Sequence, residues 1–271
     1  MTFIGRLERF GTVDTTQAIV RGWLAAGALP DRPPPYVAIA VADEQTAGRG
    51  RLGRAWSAPP GLALLLSIGC RPAAFELTHG WRLGATVALA MIDALEAQGL
   101  RDGMIGLKWP NDLVADGPDG QLRKLAGLLG ELEADASGRL ASAVVGIGVN
   151  VDWPADRFPP ALASAMTSLR ELLHRQADRD ALLDDFLARL EPRYLELLAG
   201  RFDAAAWTGR QRTTGREVEI LAGEETVRGR GLGVDPDSGA LLVATDAGSR
   251  ALGSGEVVRC RLALHPAARS A

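Results

Sequence analysis

The spacing of apolar residues predicts an α/β organisation for most of the chain. Two continuous apolar runs, residues 36–42 and 61–70, have the length and composition of buried strands. Residues 76–98 carry apolar side chains at every fourth position, which predicts a long helix. Residues 125–133 and 140–149 flank an Ala-Ser-Gly turn and predict a hairpin, so part of the sheet is expected to be antiparallel.

Shorter elements complete this pattern. Helices are predicted over residues 15–26, with Asp14 as the N-cap, and over residues 167–174 and 179–199. Strand segments are predicted over residues 104–109 and 113–115, on either side of a Pro-Asn-Asp turn. The fold class expected for this part of the chain is therefore α/β (α+β) with a mixed sheet.

After Arg201 the pattern changes to short β-like runs, at residues 217–221, 226–233, 240–244 and 256–262. Gly-Glu, Asp-Pro-Asp-Ser-Gly and Gly-Ser turn signals separate these runs. We therefore expect a domain over residues 1–205, a small C-terminal β-barrel over residues 206–265 and a frayed tail over residues 266–271.

Composition narrows the class of protein. The chain has 271 residues, 47% of them hydrophobic, and a formal charge of −3, so a folded core is expected and a broadly basic nucleic-acid binder is disfavoured. Two distant cysteines without a CxxC pair argue against a disulfide framework or a zinc site. No secretory segment is visible near Met1, and the longest apolar run is too short to cross a membrane. These features favour a cytoplasmic protein without a membrane partner.

A loop rich in glycine and arginine follows the first buried run. Its sequence GRGRLG, at residues 48–53, fits the G-x-G-x-x-G pattern of dinucleotide-binding turns. That interpretation fails because the last glycine should begin a helix, whereas Pro59 and Pro60 follow soon after. The alternative is a cationic phosphate clamp, in which glycines admit a ligand to the backbone and arginines contact its oxygens. A second alternative is that the loop binds no ligand and is simply a solvated loop beside a buried Trp56.

Only two of the 30 basic residues are lysines, Lys108 and Lys124. Because the chain otherwise uses arginine, we interpret these two positions as sites that need a compact ammonium, with chance as the alternative. Each lysine begins a motif, KWPND at residues 108–112 and KLAG at residues 124–127. A further motif, GIGVN at residues 146–150, spaces glycines along a strand, which indicates close approach by a ligand.

In their order along the chain, QTAGRGR at residues 45–51 with Gly53, Arg54 and Trp56, then KWPND, KLAG and GIGVN, resemble the motifs of biotin protein ligases. The resemblance extends over about residues 14–262. It implies a catalytic domain of the type found in class II tRNA synthetases and lipoate ligases, followed by an SH3-like barrel.

The resemblance also implies a two-step reaction. The carboxylate of biotin attacks the α-phosphate of ATP, which gives biotinyl-5′-AMP and pyrophosphate, and a lysine of a carrier domain then takes the biotinyl group and releases AMP. ATP, with Mg²⁺ carried on its phosphates, and biotin are the expected small molecules. The expected protein partner is the biotin carboxyl carrier domain of a carboxylase, and a homodimer stays open. Because only 13 residues precede Asp14, we expect a monofunctional ligase without a DNA-binding domain and without a DNA partner.

Site residues follow from the same resemblance, position by position. Catalysis is expected from Lys124, Arg49 and Arg51. Biotin is expected to contact Thr15, Thr16, Gln17, Gln45, Arg49, Gly50, Arg51, Lys124, Gly127 and Gly146. ATP and the adenylate are expected to contact Arg51, Arg54, Trp56, Lys108, Asn111, Asp112, Gly148 and Asn150. No protein ligand is assigned to the metal.

Three departures and two alternatives accompany this hypothesis. Gln17 stands where the family usually has Asn, Leu52 stands where many members have Arg, and Arg259 and Arg261 flank Cys260 after the expected Gly-Glu pair. A lipoate–protein ligase would share the fold and the acyl-adenylate chemistry. A non-enzymatic regulator that binds biotin or a nucleotide would show binding without turnover of ATP.

Overall fold

The structure, a computed structural model, describes residues 3–29, 36–72 and 75–262. A seven-stranded mixed sheet forms its centre. The strands are β1 (Ile4–Val13), β2 (Val37–Gln45), β3 (Ala63–Cys70), β4 (Ile105–Lys108), β5 (Asp112–Asp116), β6 (Leu122–Ala134) and β7 (Leu140–Asn150). They lie in the order β1-β2-β3-β7-β6-β5-β4, and only the β1–β2 pair is parallel among the described strands. The predicted mixed sheet and the predicted hairpin of β6 and β7 are confirmed.

Helices cover both faces of this sheet. They are α1 (Thr16–Ala25), α2 (Trp81–Ala97), α3 (Leu169–Leu173), α4 (Arg179–Leu198) and α5 (Ala204–Gly209). On one face, Val20 of α1 packs with Ala38 and Ala40 of β2. On the opposite face, α2 and α4 pack against Ile39 and the neighbouring strands. Because successive residues of a strand point to opposite faces, two covered faces explain why β2 and β3 are continuous apolar runs.

A second sheet follows α5. Its strands are β8 (Arg216–Ala222), β9 (Glu225–Val234), β10 (Leu241–Thr245), β11 (Gly248–Leu252) and β12 (Glu256–Leu262). They form an antiparallel sheet in the order β11-β10-β9-β8-β12. In the described part of the chain β11 and β12 do not pair with each other, so the C-terminal unit is an antiparallel sheet with two edges rather than a closed barrel. Residues 263–265 of the expected barrel and the expected tail, 266–271, lie outside the described residues.

Three elements were not predicted from the sequence. Strand β1 was missed because its apolar residues do not alternate strictly, and it lies at an edge of the sheet, where polar side chains are common. The short β11 and the six-residue α5 carry too few apolar residues for a periodicity to be recognised.

Two predicted helix starts were wrong. The helix predicted to begin at residue 76 begins at Trp81, after a separate 3₁₀ turn at Leu77–His79. Thr15, not Asp14, is the N-cap of α1, because its hydroxyl accepts a hydrogen bond from the Gln17 amide at 3.3 Å. The carboxylate of Asp14 instead accepts a hydrogen bond from Thr46.

Over the described ranges, with gaps at 30–35 and 73–74, none of the helices is long and apolar enough to span a membrane.

Candidate active site

One cavity collects residues from all four sequence motifs. It lies between the start of α1, the glycine- and arginine-rich loop, the ends of β4–β7 and the first residues of β12. The predicted site residues on its wall are Thr15, Thr16, Gln17, Gln45, Arg49, Gly50, Arg51, Arg54, Trp56, Lys108, Asn111, Asp112, Lys124, Gly127, Gly146 and Gly148. Motifs separated by as many as 100 residues therefore surround one volume.

A network of neutral side chains forms one end of this cavity, and we call Thr16, Gln45 and Ser67 the neutral end. The amide oxygen of Gln45 accepts hydrogen bonds from the backbone amide of Thr16 at 2.8 Å and from its hydroxyl at 3.1 Å. The Thr16 and Ser67 hydroxyls lie 2.7 Å apart. Thr16 and Ser67 are buried. This end therefore presents fixed donors and acceptors to a neutral polar ring.

Gln17 and Gly146 shape the wall beside the neutral end. The side-chain amide of Gln17 donates to the carbonyl of Leu129 on β6 at 3.1 Å. A Cβ atom at position 146 would lie 3.1 Å from two side-chain carbons of Gln17. Glycine at 146 thus allows the Gln17 side chain to pack directly against β7. The side-chain amide of Gln17 is buried there and hydrogen-bonded.

Lys124 lines the cavity beside Trp56 and Asp112. Its Nζ lies 2.7 Å from the Oδ1 of Asp112 and 5.2 Å from the centre of the Trp56 ring. Added Cβ atoms at Gly127 and Gly148 would lie 3.0 Å and 2.5 Å from that ring, so both glycines are required by the close approach of the indole. The ammonium therefore sits between an aromatic face and a carboxylate, where a bound anion would meet it directly.

Arginines of the loop form the opposite edge of the cavity, and we call Arg49, Arg51 and Arg54 the charged rim. Arg49 forms an ion pair of 2.7 Å with Glu131 on β6. Arg51 donates to the carbonyl of Gly255 at 3.0 Å.

The charged rim also reaches the C-terminal sheet through Arg54, which forms an ion pair with Glu256 at the start of β12. Burial lowers the pKa of the Arg51 guanidinium, and the nearby Glu256 and Asp112 oppose that shift. The second sheet thereby closes one side of the cavity.

The KWPND segment forms the turn between β4 and β5. Its Trp109–Pro110 peptide bond is cis. The indole nitrogen of Trp109 donates to the carbonyl of Gly239 at 3.0 Å, which joins this turn to the C-terminal sheet. Asn111 donates to the carbonyl of Leu128 at 2.5 Å. With the turn held at both ends, Lys108 and Asp112 face the cavity from neighbouring strands.

Asn150 differs from the other predicted site residues. It is buried at the end of β7, and its side-chain amide donates to the carbonyl of Thr167 at 2.9 Å. Asn150 is not among the residues that line the cavity. Its contact anchors the segment that leads into α3.

Two contributors to the site were missed in the sequence. Ser67 had a signal, since it is a lone hydroxyl within the otherwise apolar β3. Glu131 had none, because its contact with the loop depends on how β6 and the loop fold together. Across the described parts of the chain, no group of three or more His, Cys, Asp or Glu side chains could hold a metal ion.

Sequence profiles identify the class to which this fold and cavity belong. The profile described as "Biotin/lipoate A/B protein ligase family" matches residues 21–150, and the profile "Biotin protein ligase C terminal domain" matches residues 213–259. The first match contains the loop and the three motifs that follow it. The molecule is thus of the biotin and lipoate ligase class.

Individual relatives narrow this class. The chain is 33% identical over 223 residues to the biotin–[acetyl-CoA-carboxylase] ligase of Paracoccus denitrificans, covering 80% of this chain and 88% of that protein. It is 31% identical to the bifunctional ligase/repressor BirA of Bacillus spizizenii, covering 82% of this chain but only 66% of that protein, slightly under two thirds. The chain belongs to the biotin protein ligase family.

A solved structure agrees with this assignment. The biotin protein ligase from Aquifex aeolicus in complex with biotin and ATP is 28% identical, with a TM-score of 0.73 over 95% of this chain and 99% of that chain. Its likeness spans both sheets, since only 5% of the present chain lies outside the match.

Proposed function

We propose that this protein is an ATP-dependent ligase that forms biotinyl-5′-AMP and transfers the biotinyl group to a lysine of a carboxylase carrier domain. In the first step a carboxylate oxygen of biotin bonds to the α-phosphorus of ATP, and pyrophosphate leaves. In the second step the carrier amine bonds to the acyl carbon, loses a proton, and AMP leaves. Such chemistry needs positioning and neutralisation of charge more than a protein nucleophile.

One observation carries this proposal, namely the ammonium of Lys124 on the wall of the cavity that all four motifs share. It lies between Asp112, at 2.7 Å, and Trp56. We assign Lys124 to the oxygens around the reacting phosphorus, because a compact cation can approach both the carboxylate and the phosphate. Asp112 orients it there through their ion pair.

The biotin ring fits best at the neutral end. A ureido group has one carbonyl acceptor and two N–H donors, and Thr15, Thr16 and Gln45 offer a matching set of polar atoms beside the α1 N-terminus. Gly127 and Gly146 then leave room for the valeryl chain as it runs towards Lys124. Gln17 and Gly50 complete the walls of this subsite.

The nucleotide fits best at the charged rim. We assign Arg49, Arg51 and Arg54 with Lys108 to the carboxylate and phosphate oxygens. Trp56 and Gly148 form the adenine side, and Asn150 supports it through its bond to Thr167. Asn111 and Asp112 lie beside the phosphates, where a Mg²⁺ ion carried by ATP would keep several waters and need little ligation by protein.

The partner and the organisation of the chain belong to the same proposal. The biotin–[acetyl-CoA-carboxylase] ligase named above suggests a carboxylase carrier as the acceptor. As separate parts of the proposal, the ligase is monofunctional and cytoplasmic and has no DNA partner. The proposal includes either a monomer or a homodimer. We divide the chain into a catalytic domain of residues 1–205 and a C-terminal unit of residues 206–265. The two profile matches fall on either side of this division. We assign an SH3-like arrangement to β8–β12, which pair as an antiparallel sheet.

Transfer of label to an apo-carrier tests the proposal. The protein is incubated with ATP, an apo-carrier domain and either labelled biotin or labelled lipoate. We expect the label to reach the carrier with biotin and not with lipoate. Labelling by lipoate alone would favour a lipoate–protein ligase, and biotin binding without release of pyrophosphate would favour a non-enzymatic regulator.

A further inference from the structure

Glu131 forms ion pairs with two arginines from different parts of the chain. Its carboxylate lies 2.9 Å from Arg21 of α1 and 2.7 Å from Arg49 of the charged rim. The Glu131 side chain is 28% exposed, less than either arginine. Glu131 does not line the cavity, whereas Arg49 does.

The backbone of Glu131 is held within the sheet, where it pairs with Val144 of β7, and two side chains of α1 reach β6 at this point. Gln17 and Arg21 are four residues apart on α1 and contact Leu129 and Glu131, two residues apart on β6. Four residues of helix rise about 6 Å and two residues of strand about 6.6 Å, so the two pairs stay in step. Glu131 is therefore held by the β6–β7 ladder and by its bond from Arg21, and not by the loop.

Trp56 packs its ring against Gly127 of β6 and Gly148 of β7, but the arginines of the loop have few attachments to the sheet that bears the cavity. The loop's own backbone forms a small hairpin, with Trp56 donating to the carbonyl of Gly48 at 2.9 Å. Arg51 and Arg54 attach it to the C-terminal sheet instead. The Arg49–Glu131 pair is thus the side-chain contact that ties the charged rim to β6.

Chemistry favours a positioning role for this contact. A guanidinium has five N–H donors in a rigid plane, and the bond to Glu131 uses one of its terminal nitrogens. The remaining donors stay available to a ligand in the cavity. Because Arg21 shares the carboxylate, Glu131 keeps a partner whenever Arg49 moves, and the pair can open and close without an isolated charge.

We propose that Glu131 is a positioning residue that holds Arg49 over the bound biotinyl-5′-AMP and so slows its release. This proposal rests on the proposed function for the identity of the ligand. It concerns retention only, and the chemical step is left to Lys124 and the arginines. Removing the charge of Glu131 frees Arg49 and opens the loop edge that faces β6.

Release of ligand from matched variants tests this role. Chemically synthesised biotinyl-5′-AMP is supplied to the full chain, so that binding is measured without any need for catalysis. We expect Glu131→Gln to release it about 3- to 10-fold faster, the range of a partly exposed ion pair that acts on a bound ligand. The control is Glu133→Gln, two residues further along β6, whose carboxylate accepts a hydrogen bond from Ser142 at 2.7 Å.

A double-mutant comparison separates positioning from general loosening of the structure. In an Arg49→Gln background, Glu131→Gln should add nothing to the release rate. Faster release in both backgrounds, or the wild-type rate for Glu131→Gln alone, would overturn the proposal. Added salt should accelerate release from the wild type more than from Glu131→Gln, because only the wild type has the ion pair to screen.

Discussion

The two ends of the cavity are built in different ways. At the neutral end, Thr16 at the start of α1 hydrogen-bonds to Gln45 and Ser67 of the first sheet, and two of the three are buried. At the charged rim, Arg49 and Arg54 keep 48% and 62% of their side chains exposed and pair with separate carboxylates. A buried network is rigid and selects one ligand shape, whereas exposed ion pairs exchange readily with an incoming anion.

This difference indicates which part of the site recognises biotin and which part retains the bound nucleotide. The neutral end exists before the ligand arrives, because its bonds belong to the core of the fold. The charged rim joins two sheets through Gly255 and Glu256, so its geometry depends on their contact. Biotin selectivity should therefore be a property of the first sheet, and retention of the nucleotide a property of both.

The largest expected effect lies between the two ends, at Lys124. Lys124→Arg keeps the charge but cannot reproduce a point cation 2.7 Å from Asp112, and we expect adenylation to slow by about 100-fold or more. Single-turnover formation of biotinyl-5′-AMP measures it. Lys108→Arg serves for comparison and should cost less, since Lys124, not Lys108, is the lysine paired with Asp112. Equal rates for Lys124→Arg and the wild type would contradict the role of Lys124.

Thr16→Val breaks the neutral end. It removes the hydroxyl that hydrogen-bonds to Gln45 and Ser67, so the buried Ser67 hydroxyl loses this partner while Gln45 keeps only its bond from the Thr16 backbone amide. We expect the KM for biotin to rise about 10- to 100-fold. The KM for ATP should hardly change. Thr86→Val, at a buried threonine of α2, controls for loss of stability. If both variants raised the KM for biotin alike, the recognition role of Thr16 would be lost.

Gly148→Ala tests whether the close packing of Trp56 against Gly148 is needed for nucleotide binding. The added methyl group would lie 2.5 Å from the indole, so the ring must move, and crowding of this kind costs about 1–3 kcal/mol. We expect weaker ATP binding, by roughly tenfold. Gly130→Ala on β6 is the matched control, because a Cβ there meets nothing within 4 Å. An unchanged ATP affinity for Gly148→Ala would argue against the assignment of Trp56 and Gly148 to the adenine-binding side.

The smallest expected effect concerns the charged rim. Arg51→Gly removes the bond to Gly255, and we expect the intermediate to dissociate several-fold, about 3- to 10-fold, faster. Arg51→Gln separates loss of charge from gain of loop flexibility, and Arg250→Gln, on the distant β11, is the control. A dissociation rate that matches the wild type in both Arg51 variants would contradict the proposal that Arg51 holds the intermediate in the cavity.

The first sheet was more predictable than the contacts between its parts. The strands β2, β3 and β7 are buried on two faces, so their apolar runs are visible in the sequence. Edge strand β1 and the short β11 are exposed and lack that signal. The small β-barrel expected over residues 206–265 is not confirmed, since its described strands form an antiparallel sheet with two edges.

The site shows the same division. Motif residues such as Lys124 and Gly146 have types and spacings that indicate chemistry, and they do line one cavity. The partners of Arg49 and Arg54 depend on tertiary contacts, and no local pattern reveals them. Asn150 ends a motif but turns to Thr167, which sequence spacing alone could not show.

Biotin-dependent exchange of labelled pyrophosphate into ATP tests the central claim most directly, because it isolates the adenylation step from any carrier. We predict exchange that requires both biotin and ATP and that is strongly reduced in Lys124→Arg. The account is contradicted if folded protein shows no exchange with biotin, or if lipoate supports exchange and biotin does not.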